Sequence, residues 1–168
     1  MSEWVGMMPD SPQAETSRIA DQLRRAFEGE AWHGPAVLEI LEGLDAAEAA
    51  ARPIPAAHRI WEIVLHITVW DDVARRRLAG QVVQPAPHED WPEVTDTSPA
   101  AWQRALEHLK QAHQALVAAV SACPDSRLAE KVPGKEPAYY TLYYMLHGLA
   151  QHELYHAGQI ALLKKALG

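Results

Sequence analysis

Apolar residues recur at steps of three and four over long stretches of the chain, and no period-two alternation extends beyond four residues. The pattern predicts helices rather than strands. Ser11 followed by Pro12 has the form of an N-cap and a first helical residue, opening a helix that runs to about Glu28. The stretch GEAWHGP interrupts it, and Pro35 restarts a helix through AVLEILEGL. Asp45, with Glu48 three residues on, has the shape of a capping box for the short segment AAEAAA, which RPIP ends. The next helix covers about Ala57 to Ala79 and is closed by Gly80. After a polar, proline-containing loop, Ser98–Pro99 opens a third long helix that stops before Pro124. A second long loop leads to a final helix from about Tyr139 to the end. These elements predict an all-α fold: one four-helix-bundle domain over residues 12–168, with long inter-helix connections and a flexible tail over residues 1–11.

The helical faces sort the histidines. In the last helix Leu142, Met145, Leu149, His152, His156, Ile160 and Leu163 share one face, which sets two imidazoles one turn apart in an apolar stripe. Ile63, His66, Trp70 and Val73 form a similar stripe on the second long helix. A polar ring on an apolar face needs a partner. Either each histidine is satisfied by its own hydrogen bonds, or His66, His152 and His156 share a cation. Neutral imidazole suits zinc, nickel, iron or copper, and three protein ligands leave coordination positions open for chemistry. Trp70, one turn from His66, is the expected pocket wall. Trp61 and Trp102 read as core, within a set including Trp32 and Trp91 that can line a cleft. His33, at the break in the first helix, is a candidate for a pocket mouth and a catalytic role. His108 and His113 read as solvated, His58 and His88 as surface, and His147 as a packing residue or a group behind the ligands.

The stretch HELYH, residues 152–156, also satisfies the H-E-x-x-H pattern of zinc proteases. The remaining segment, AGQIALLKKALG, contains no His, Asp, Glu or Cys to act as a third ligand, and no strand is available to hold an extended peptide. A zincin protease is therefore not expected. Glu153, about 100° from His152 around the helix, is open to three readings: a general base, a carboxylate behind the ligands, or a polar residue at the edge of the face.

The formal charge of −7 argues against nucleic acid or an acidic membrane surface as a partner. No apolar run reaches the length of a membrane span, and the N-terminus lacks the features of a secretory signal, so a cytoplasmic protein is expected. The single cysteine, Cys123, excludes an intramolecular disulfide and a thiolate-rich metal site, and reads as an apolar filler.

The stretches RPIP…HRIWEIVLHI and HxxYHAGQI resemble the DinB/YfiT superfamily over the chain from about Ala31 onward. The resemblance implies a four-helix bundle, often dimeric, holding a divalent metal through residues matching His66, His152 and His156. It implies zinc, nickel, iron or manganese as cofactor, and a small-molecule substrate. Relatives include thiol-dependent transferases that use a low-molecular-weight thiol such as bacillithiol or mycothiol, and metal-dependent hydrolases. The resemblance assigns no role to Glu153. Metal-bound water would serve a hydrolase, and a metal-held thiolate a thiol S-transferase. The competing reading is a non-catalytic, metal- or ligand-binding stress-response bundle. The segments AVLEILEGL and ALVAAV are candidate faces for a homodimer.

Overall fold

The structure, a computed structural model, describes residues 14–168. The tail expected over residues 1–11 and the cap expected at Ser11–Pro12 lie outside the described residues. The helices are α1 (Glu15–Glu28), α2 (Val37–Leu41), α3 (Ala46–Ala50), α4 (Ile60–Leu78), α5 (Pro87–Asp90), α6 (Pro99–Ser121) and α7 (Leu142–Ala166). No strand occurs among the described residues, only an isolated bridge between Lys131 and Thr141. α1 and α4 each pack against both α6 and α7, so they occupy opposite corners of a four-helix bundle.

Local chemistry sets most of these boundaries. Ser98 caps α6 by accepting from Ala101 N at 3.2 Å, and Thr141 caps α7 by accepting from Tyr144 N at 3.3 Å. The capping box at Asp45 and Glu48 forms in both directions, at 2.8 and 2.9 Å. Gly80, at φ +86°, closes α4 in a Schellman motif, with Gly80 N donating to Arg77 O and Gln81 N to Arg76 O. The first turn of α1 is capped from far along the chain: Asp125 accepts from Glu15 N at 2.8 Å and from Thr16 N at 3.0 Å.

The core falls into two apolar clusters. One, around Ile67, Trp102, Leu109 and Ile160, holds the α2–α3 end of the bundle. The other, around Leu23, Ala74, Leu116 and Leu146, holds the opposite end. The segments expected as dimer faces are only partly turned inward: Leu38, Val117 and Ala119 are half-buried, and Ala115 and Ala118 are exposed. Val37 and Leu41, like Leu116 and Val120, are buried within the chain.

Candidate metal centre

α4 carries His66 and α7 carries His152 and His156, and the contact between these helices brings the three imidazoles together from 86 residues apart. His152 Nε2 stands 3.0 Å from both His66 Nε2 and His156 Nε2. The outer nitrogens of two rings are already committed. His66 Nδ1 donates to the backbone carbonyl of Asp90 at 2.8 Å, and His156 Nδ1 to Gln159 Oε1 at 2.7 Å. Their Nε2 atoms are therefore bare lone pairs aimed at His152. One N–H on His152 Nε2 would satisfy one of the two 3.0 Å contacts, whereas a cation among the three nitrogens satisfies both. The donor set thus fits a divalent transition metal.

Electrostatics keep the rings in the ligand form. Burial, reinforced by His156 and His66, pulls His152 down to about 3. Burial likewise pulls His156 down to about 4, against the opposing hydrogen bond to Gln159. His66 is also lowered by burial, with Asp90 partly offsetting it. All three are neutral imidazoles at physiological pH.

The triad opens onto a cavity of about 430 Å³. Trp70 lies along one side of it. Trp91 forms another side and stacks flat on His66, with ring centroids 3.8 Å apart, while His58 stacks on its far side at 3.6 Å. Tyr140, Tyr144 and Tyr155 extend the aromatic lining, and Arg77 closes the end remote from the histidines. The Arg77 guanidinium lies over the Trp70 ring and donates through Nε and Nη2 to Val83 O. No carboxylate among the described residues pairs with it. The loop before α6 is more structured than its polar composition implies. Within it, α5 presents Asp90 and Trp91 to the site, and Asp90 Oδ1 also accepts from Trp70 Nε1 at 2.7 Å.

Other candidates fall elsewhere. Glu153 does not line the cavity; it is buried on the adjacent face of α7, where Oε1 lies 3.2 Å from His113 Nδ1. His33 is exposed and borders a separate cleft with Trp32 and Leu154. Trp32 is fully exposed, so it is not part of the lining, while Trp61 and Trp102 are core. Cys123 is buried near the end of α6.

His113 corrects the expectation of a solvated residue: it is 0% exposed, as are Asp71 and Glu153 beside it. The reason lies in the α6 register, where Trp102, Ala105, Leu109, His113, Leu116 and Val120 form a single buried line. That periodicity was the available signal. Burial acts to lower His113, but Asp71 and Glu153 outweigh it and raise the ring well above the usual histidine range. Burial raises both carboxyl groups, and His113 opposes it.

The chain matches no curated protein and no solved structure. The family model of the DinB superfamily matches residues 31–160, which span α2 to most of α7 and include all three histidines. With its helical bundle and its histidine cluster, the chain belongs to the DinB superfamily.

Proposed function

We propose that this protein is a metal-dependent thiol S-transferase, with His66, His152 and His156 as the ligands of one divalent ion. The observation that carries the choice is the lining of the cavity. Among the described residues it offers three neutral imidazoles, aromatic rings and one arginine, and no carboxylate or lysine. A hydrolase gains from a base that takes the proton of its attacking water; of the two nearby acids, Glu153 lies outside the cavity against His113, and Asp90 is engaged with His66 and Trp70. A thiol needs only to be held deprotonated. A bound divalent cation such as zinc, nickel, iron or manganese would supply that by stabilising the thiolate of a low-molecular-weight thiol.

The chain's own residues do the rest. His66 and His156 are held as lone-pair donors by Asp90 and Gln159. Trp70, Trp91 and the tyrosines exclude water and pack an apolar electrophile. Arg77 suits an anionic group at the far end of the substrate or thiol. In the reaction class, a carbon–sulphur bond forms, the bond from carbon to its leaving group breaks, and the leaving group departs as an anion. The thiol proton passes to solvent.

The test uses untagged protein loaded with each of the four metals. Bound metal is counted, and loss of N-acetylcysteine thiol is followed with 1-chloro-2,4-dinitrobenzene as the electrophile. One ion lost in both His66→Ala and His156→Ala, together with metal-dependent thiol consumption, supports the reading. Metal binding without turnover of this thiol or of a bacillithiol-type thiol would favour the non-catalytic binding bundle instead. Metal-dependent ester hydrolysis without thiol transfer would favour the hydrolase.

A further inference from the structure

Beyond the histidine triad, the centre of the bundle contains a second group of potential ligands. Asp71 of α4, His113 of α6 and Glu153 of α7 each occupy the middle of the buried line of their helix, between the two apolar clusters. All three are 0% exposed, and none of their six side-chain N and O atoms has a hydrogen-bond partner among the described residues. Polar groups that are this deeply buried are ordinarily satisfied.

We propose that Asp71, His113 and Glu153 bind a second divalent cation, buried in the bundle core and separate from the histidine triad. Geometry supports this first. His113 Nδ1 stands 3.2 Å from Glu153 Oε1 and 3.5 Å from Asp71 Oδ2, and one donor atom from each residue lies within 4.8 Å of the others. At these separations neither contact has the alignment of a hydrogen bond. The separations match neighbouring donors around a first-row ion, which stand about 3.0–3.5 Å apart when each bond is about 2.1 Å. Charge supports it next. Two carboxylates with an imidazolium leave a net negative charge in the core, whereas two carboxylates, a neutral imidazole and a divalent ion balance. A proton on one carboxyl would also balance the charge, but Asp71 and Glu153 make no hydrogen bond to each other, so that proton would have no acceptor between them. Phe27 stacks on the His113 ring at 3.8 Å and fixes its plane, leaving Nδ1 directed at both acids. One imidazole with two carboxylates is a harder set than three imidazoles and suits Mn²⁺, Fe²⁺ or Zn²⁺.

The experiment removes the first site and looks for the second. The double variant His152→Ala/His156→Ala is refolded from denaturant with Mn²⁺, Zn²⁺ or, anaerobically, Fe²⁺, because a core site fills most readily during folding. Free metal is then removed and ions per chain are counted. About one ion per chain is expected to remain for at least one of the three metals, with a Tm above that of the same protein refolded in chelator. Adding His113→Leu, or the isosteric Asp71→Asn should the leucine variant fail to fold, is expected to abolish that ion. The proposal is overturned if the double variant retains no ion with any of the three metals, or if the retained ion survives the added substitution. The reading of the histidine triad fails by a different result: equal ion counts in the wild type and the double variant.

Discussion

The Nδ1–H of His66 donates to the backbone carbonyl of Asp90 at 2.8 Å, and the Asp90 carboxylate lies 3.1 Å from the same nitrogen while accepting from Trp70 at 2.7 Å. One residue of a four-residue helix thereby sets the tautomer of the His66 ring and the tilt of the cavity wall. Such supporting groups orient a ligand and raise its basicity. Asp90→Ala is expected to lower affinity for zinc about 10- to 100-fold, measured by competition with a chromogenic chelator. Unchanged affinity would mean that the backbone carbonyl is sufficient.

Arg77 is buried without a carboxylate partner among the described residues, and its guanidinium holds Val83 O while bordering the cavity. Arg77→Met preserves much of the bulk and removes the charge. It is expected to destabilise the fold by about 1–3 kcal/mol, because Val83 O loses its donors. It is also expected to remove any preference for 4-phenylbutyrate over 4-phenylbutyramide in metal-free protein, read by tryptophan fluorescence. A preference that survives in the variant would take the anion-binding role away from Arg77.

Asp45 and Glu48 close the start of α3 reciprocally. Asp45→Ala is expected to cost about 1 kcal/mol in chemical denaturation, with metal content unchanged because the segment lies away from the triad. A loss of metal in this variant would show that the α2–α3 end is coupled to the site.

Asp125 accepts from the backbone and hydroxyl of Thr16 and from Glu15 N, and these bonds, led by the Thr16 backbone, hold its carboxyl below the usual value of 3.8. Its folded value is depressed, so the stability it contributes is present above pH 3.8 and is lost as pH falls through the folded value. Asp125→Asn is expected to lower Tm at pH 7, and the difference from wild type should shrink below pH 3.8. A difference that stayed constant down to pH 2 would assign the effect to packing instead of charge.

The helices and three of their caps were legible in the sequence because they are local events. Asp45 with Glu48, Ser98 with Pro99, and Gly80 each act within a few residues of the boundary they set. The convergence of His66, His152 and His156 was legible as well, since imidazoles on apolar stripes must find a common interior. Which of two neighbouring stripes faces the centre of the bundle was decided only by packing. A helix face one residue wide subtends about 100°, so His152 and Glu153 are equally compatible with an inward reading until α4 and α6 are placed against α7. Packing turned Glu153 into the core with Asp71 and His113, and left His152 at the cavity edge. Asp90 was invisible, and the stacking of Trp91 on His66 was not foreseen although Trp91 belonged to the set that can line a cleft, for a related reason. They come from a polar loop whose composition carries no period, and only its folding across α4 brings them against His66. The sequence alone determined the long helices, the ends set by local caps and the three histidines on apolar stripes; the tertiary contacts, through which long-range burial selects one face among near-equals, decided which side chains surround them.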